Sequence, residues 1–340
     1  MASSATICMM SDGDTLCEEI VAQLDARHAP CEILGHLAKA EATALKLLQP
    51  AEQFTTPLHA VMMYPGTRHA VIEFVLHLSK TCQLADMQRS VFFDASTLID
   101  VYIIQARSLC SSQQQFETYQ VSTLATICAA AVLLIAKRED YIVNKELIDI
   151  FAKNASAFSS QVCSDHGHVT REDILKHEFE ILRVVGWNIN IPSVHTFLSV
   201  FCTRIDVLSR GMLKESADWA LNEAMLWAYV MIIYCPSSTT MSPSRMAKGL
   251  FCISIVAANI VPLAAMRPSN VSPAEWMELF KRGLFHETYD KYLTNCAMPT
   301  DQTLKVMTTI TGHSLEDLQF MTHAVLDVAS RLAVAHHHSV

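Results

Sequence analysis

The run from Val121 to Ala136 carries no charged residue and then stops abruptly on Lys137-Arg138-Glu139-Asp140. A helix that is apolar on every side cannot face water and belongs at the centre of a bundle, with amphipathic helices around it. A second run, Gly249 to Met266, has the same character. It is too short for a membrane crossing and contains Asn259 and Pro262, so it reads as a buried core helix. With only 9 Gly and 11 Pro in 340 residues, the chain lacks the turn formers that an all-β or α/β architecture needs. The expected class is all-α.

The chain repeats this organisation. A helix with one apolar face precedes each run: Val91, Phe92, Ala95, Leu98, Ile99 and Tyr102 before the first, and Ala217, Ala220, Leu221, Ala224, Leu226 and Trp227 before the second. Two tandem bundles follow from this, 67–190 and 191–335, after an N-terminal helical extension over 1–66 in which Asp14 to Leu48 reads as one or two amphipathic helices. The junction Gly186-Trp187-Asn188-Ile189-Asn190-Ile191-Pro192-Ser193 carries the breakers of a boundary. Thr170 is placed to cap the helix through Glu178. Gly312 is placed to end a helix, and Ser314-Leu315-Glu316-Asp317 to open the last one as a capping box.

Several function classes are excluded by charge and motif. The formal net charge is −9, from 25 basic and 34 acidic residues, and no basic run exceeds a pair, so nucleic acid is not an expected partner. The 11 Cys are scattered without a C-x-x-C pair and read as buried apolar side chains in a reducing compartment. The N-terminus has neither the charged region nor the apolar core of a signal peptide, and no membrane association is expected. No phosphate-binding glycine loop, H-E-x-x-H or G-x-S-x-G occurs, so the chain is not expected to be an enzyme or to hold a cofactor. Asp165-His166-Gly167-His168 is a sparse set for a metal, and none is expected. The triplet His336–His338 reads as a surface tail.

Glu178 has Ile174, Leu175, Ile181 and Leu182 as its helical neighbours, so its carboxylate emerges within an apolar stripe and needs a partner. Lys137 ends its helix beyond Leu133 and Leu134.

These residues resemble those of the cyclins. Leu133-Leu134-Ile135-Ala136-Lys137-Arg138-Glu139-Asp140 is similar to the end of the third helix of a cyclin box, where Lys, a variable residue and two acids follow a small apolar run. Leu175–Ile189, with Glu178, Leu182 and Trp187, is similar to the fifth helix, and Pro192–Leu198 to the entry of a second box. Arg68–Phe74 resembles the first helix, Leu98-Ile99-Asp100-Val101-Tyr102 the second with its buried Asp100, and Ser242–Ala247 the entry to the third helix of the second box. The resemblance covers about 67–332.

It implies two cyclin boxes and a regulatory subunit, found in nucleus and cytoplasm, that forms a heterodimer with a cyclin-dependent kinase in cell-cycle control. By the same resemblance, Lys137 and Glu178 bond to the kinase backbone beside its αC helix, while Leu182, Trp187 and Ile189 pack on that helix and Glu139 belongs to the motif. Kinase substrates or inhibitors are further partners. The substrate-docking patch would centre on Arg68, Val71 and Phe74, although Thr67, Ala70, Val71 and Phe74 make it smaller and more polar than the family pattern, and helical spacing gives Val71 and Phe74 a core role. An aromatic insertion over 277–308, with Phe280, Phe285, Tyr289 and Tyr292, is expected to pack on the second bundle. Arg210-Gly211-Met212-Leu213 has the ends of a destruction box but falls inside the second box. The alternative is a cyclin-fold scaffold or transcription-type adaptor that activates no kinase.

Overall fold

The computed structural model describes residues 36–43, 65–82, 88–109, 121–139, 143–162, 168–208, 214–234, 241–258, 260–283 and 300–337. Among them there is no strand, and the protein is all-helical. The elements are α1 (Pro65–Thr81), α2 (Gln88–Leu109), α3 (Val121–Arg138), α4 (Lys145–Val162), α5 (Arg171–Val184), α6 (Val194–Leu208), α7 (Lys214–Tyr234), α8 (Pro243–Ala257), a short 3-10 turn (Leu263–Met266), α9 (Pro273–Gly283), α10 (Thr300–Thr311) and α11 (Leu315–His337). Of the expected N-terminal extension over 1–66, residues 36–43 are described and helical, and its last two residues already belong to α1. Asp140, Asp165, His166, Arg210–Leu213, Phe285, Tyr289, Tyr292 and His338 lie outside the described residues.

The chain divides into two compact units, one formed by Leu37–His195 with Val230–Pro243, the other by Thr196–Tyr229 and the chain from Ser244 onward. The end of α7 therefore belongs with the first unit, although the sequence suggests a single switch near Pro192.

In the first unit α3 touches α1, α2, α4 and α5, and every residue from Leu124 to Ala136 is buried. This is the outcome that an uncharged helix requires, since any face turned to water would forfeit apolar burial worth about 25 cal/mol per Å². α1 and α4 meet through Phe74 and Phe158, whose rings stack at 4.4 Å. Buried hydroxyls are satisfied within their own helices: Ser96 and Thr97 donate to the Phe92 and Phe93 carbonyls and Ser79 to that of Val75. Such local bonds let polar residues sit in the core without a distant partner.

Arg68 is the largest polar group in that core. Its guanidinium makes two bonds to the Asp100 carboxylate, 2.8 and 2.9 Å, and its Nε donates to the Ile232 carbonyl at 2.6 Å. Ile232 lies in the last turn of α7, where helix carbonyls lack a partner of their own. One side chain thus ties α1 to α2 and to the end of α7.

In the second unit α8 is buried from Met246 to Ala257 apart from half-buried Lys248. It ends at Ala257, and only a 3-10 turn follows at Leu263–Met266. The expected continuous helix from Gly249 to Met266 is therefore two pieces, because Pro262 offers no N–H and disfavours helical geometry before it. α9 and α10 pack on α11, with Trp276 and Phe280 buried and the Trp276 indole N–H bonded to the Leu263 carbonyl at 2.9 Å. Arg204 caps α10 through the Ile310 carbonyl at 2.7 Å. Gly312 ends α10 at φ 70°, and Ser314 and Asp317 form the expected cap of α11: the Asp317 amide donates to Ser314 Oγ and the Ser314 hydroxyl to Asp317 Oδ2. Leu226, read as part of the inward face of α7, is instead exposed. Among the described residues no helix is long and apolar enough to cross a membrane.

Gly249 sets the approach of α8 to α11. A Cβ there would lie 2.5 Å from Val325 Cγ2 and 2.8 Å from the Met321 carbonyl oxygen, and the second neighbour is backbone that cannot swing away. Gly249→Ala is therefore expected to lower stability by about 1–3 kcal/mol despite the better helix propensity of alanine. Thermal denaturation decides this; an unchanged or raised midpoint would mean that the two helices can separate freely.

Candidate docking face at the ends of α3 and α5

All the residues of this site lie in the first unit. Thr170 opens α5 with a capping box: its hydroxyl accepts from the Asp173 amide, and the Asp173 carboxylate accepts from the Thr170 amide and hydroxyl. These bonds hold the Asp173 carboxyl below the usual range. The helix start is thereby fixed, and with it the faces of every later residue. Ile174, Ile181 and Val185 turn inward and are buried, and α5 packs against α3, α2 and α4. Tyr102 on α2 donates to Glu180 at 3.1 Å across one of these contacts.

Glu178 falls between the buried and exposed sides of α5, and its side chain is 9% exposed. Lys137, on the last turn of α3, reaches it from 41 residues earlier in the chain, with Nζ 2.7 Å from both carboxylate oxygens. The Lys137 side chain remains 41% exposed. Its third N–H has no partner among the described residues, and the carboxylate oxygens keep further acceptor capacity. Such a pair can bond at once to the C=O and the N–H of a partner's main chain.

Apolar surface adjoins it. Phe179 is 60% exposed, Trp187 65% and Leu175 40%, and the Phe179 and Trp187 rings meet edge to face with centroids 6.0 Å apart. Leu182 and Ile189 are half-buried. Sequence reasoning passed over Phe179 and treated Leu175 only as a neighbour of Glu178. The signal was a second i, i+4 ladder, Leu175–Phe179, running beside the buried ladder Ile174–Glu178 and making α5 more apolar than one buried face requires.

Trp187 is held out by an unusual backbone. The Gly186 amide bonds the Arg183 carbonyl at 3.3 Å and the Trp187 amide the Leu182 carbonyl at 2.7 Å, the pairing of a Schellman helix end. Gly186 takes φ 61°, as that end demands, but Trp187 also takes φ 63°, where a Cβ costs about 1–2 kcal/mol. Trp187 thus combines backbone strain with an exposed indole, a combination that burial does not account for. Trp187→Gly is expected to change the stability of the folded chain by less than about 1 kcal/mol, because relief of the strain offsets the entropy that glycine adds to the unfolded chain and the loss of the indole's contact with Phe179. A clear loss in a urea melt would show that the indole is a packing residue.

Arg138 occupies the position between Lys137 and Glu139. Its guanidinium bonds Asp94, Glu139 Oε1 at 2.5 and 2.9 Å and the Ile189 carbonyl at 3.3 Å. Burial works against its charge, but Asp94 and Glu139 outweigh this and raise its pKa above the ordinary arginine value. Glu139, grouped with the docking residues by sequence, is engaged by Arg138. His195 lies close by, stacked on Phe93 at 6.0 Å, and burial lowers its pKa despite the opposing fields of Asp94 and Glu139.

The other named residues lie elsewhere. Arg68, Val71 and Phe74 are 1%, 0% and 6% exposed, so they supply interior and no docking surface; Arg68 is spent on Asp100, which is likewise buried. Among the described residues no group of three His, Cys, Asp or Glu could hold a metal, and His168 stands exposed. Cys82, Cys128, Cys202 and Cys252 are buried free thiols, and burial pushes those of Cys82 up to about 11 and of Cys202 and Cys252 up to about 12.

No protein-family model matches this chain, and no curated protein matches it.

Proposed function

We propose that this chain is a cyclin-type regulatory subunit that binds a cyclin-dependent protein kinase through the ends of α3 and α5 and switches it on without itself being an enzyme. The observation that carries the reading is the Lys137–Glu178 pair, with Nζ 2.7 Å from both oxygens at the rim of an exposed apolar patch of Leu175, Phe179 and Trp187. The sequence resemblance assigns this same pair to kinase contact, and the placement of α3, uncharged as far as Ala136, among four helices fits the box that the resemblance implies.

The action is positional. A kinase works when the Glu of its αC helix pairs with the β3 Lys and its activation loop is ordered. A rigid helical face that binds αC in that pose shifts the population toward it, by no more than its differential affinity for the two poses. Phe179 and Trp187 supply the aromatic anchors that commonly dominate such interfaces, and the ion pair fixes register through main-chain bonds. Substrate recruitment through Arg68, Val71 and Phe74 is not part of the proposal, since these residues are buried.

The test is capture of kinases on the full chain, identified by mass spectrometry, with histone phosphorylation measured on each eluate. A cyclin-dependent kinase retained by wild type and lost from Lys137→Ala/Glu178→Ala supports the reading. No kinase with either chain would point to the fold serving another binding task.

A further inference from the structure

We propose that Arg138 is the positioning residue of this face: it locks the last turn of α3 to the loop carrying Trp187 and Ile189, so that the ion pair and the aromatic pair meet a partner in one fixed geometry. The inference rests on the kinase-docking reading for its consequence in binding, but the lock itself is a property of the free chain.

The guanidinium joins three segments that are distant in sequence. Nη2 bonds Asp94 near the start of α2, Nη1 bonds the Ile189 carbonyl at 3.3 Å in the loop after α5, and Nε with Nη2 holds Glu139 at the end of α3. Asp94 is 7% exposed, so the anchor point is interior and does not move with solvent. Arg138 is 18% exposed and follows Lys137 directly, so fixing one fixes the backbone from which the other reaches Glu178. Ile189 lies two residues after Trp187, and a bond to its carbonyl closes the far side of the loop whose near side is the Schellman end of α5. The groups facing the guanidinium are Asp94, Glu139 and the Ile189 carbonyl, with His195 beside Asp94. The cyclin pattern leaves this position variable, yet here only a planar donor fork can serve all three acceptors; a lysine ammonium is a point charge that can neutralise Asp94 but cannot also span to the loop.

Arg138→Lys in the full chain tests this. Amide hydrogen exchange at Trp187 and Asn188 is expected to quicken about tenfold or more while the amides of α1 and α4 keep their wild-type rates. Affinity for the captured kinase is expected to fall about tenfold, and that fall should shrink in a Trp187→Gly background, because the loop that Arg138 holds then has no indole to position. Unchanged exchange at 187 and 188 would overturn the proposal, as would an equal loss of affinity in both backgrounds. If wild type binds no cyclin-dependent kinase, the docking reading falls and the exchange result alone decides the lock. Should Arg138→Lys fail to fold, Arg138→Gln with Asp94→Asn removes the buried charges together, and the same loop amides are read.

Discussion

Asp100→Ala is expected to cost the first bundle about 3–5 kcal/mol. The Arg68 side chain is 1% exposed and that of Asp100 7%, so removing the carboxylate strands a guanidinium where water cannot replace the lost bonds. Domains are commonly stable by only about 5–15 kcal/mol, and a loss of this size moves a urea midpoint by about 1–2 M. The transition to watch is that of the α1–α5 unit, since a chain with two compact units need not unfold in one step. A shift smaller than about 0.5 M would mean that Arg68 finds water or another acceptor. Arg68→Met/Asp100→Leu should recover part of the stability, because a matched apolar pair often equals or betters a buried ion pair. What the double variant cannot restore is the donor that Arg68 gives the Ile232 carbonyl at 2.6 Å, a deficit of about 1–3 kcal/mol.

The features legible in the sequence were those with local causes. An uncharged run can only be interior, which placed α3 among its neighbours; the caps at Thr170 and Ser314 and the stop at Gly186 each depend on residues within three or four positions. Partners across the fold were not legible in this way. Helical spacing showed that Glu178 needed a counter-charge, but only the resemblance to cyclins named Lys137, because a periodic pattern fixes a face and leaves its neighbour open. Arg138 escaped for the same reason: its acceptors Asp94 and Ile189 lie 44 and 51 residues away. Where resemblance and spacing disagreed, spacing was the better guide to packing. Arg68, Val71 and Phe74 match a docking patch by position, yet lie on the inward face of α1. The break in the Gly249 to Met266 run was available from Pro262, whose missing N–H outweighs the hydropathy of its surroundings.

If Lys137 and Glu178 form the proposed docking pair, binding and stability should diverge. Lys137→Ala leaves the Glu178 side chain, 9% exposed in the wild-type chain, with no counter-charge, and is expected to cost about 1–2 kcal/mol of stability, tempered by the exposure of the lysine side chain. Glu178→Ala leaves a half-exposed lysine free to reach water and should cost less. Removing both takes away the stranded charge, so the double variant should be more stable than Lys137→Ala alone. Kinase affinity should follow a different order. If the two groups bind one stretch of partner backbone together, either single substitution is expected to lower affinity about 100-fold, close to 2.7 kcal/mol, and the double only slightly further. A purely structural pair predicts instead that affinity tracks stability and recovers in the double variant. Dissociation constants for the four chains against one purified cyclin-dependent kinase, beside their urea midpoints, separate these cases. Wild-type affinity in the double variant would remove Lys137 and Glu178 from the interface, whereas a stable double variant that neither binds nor activates would place the switch on this pair.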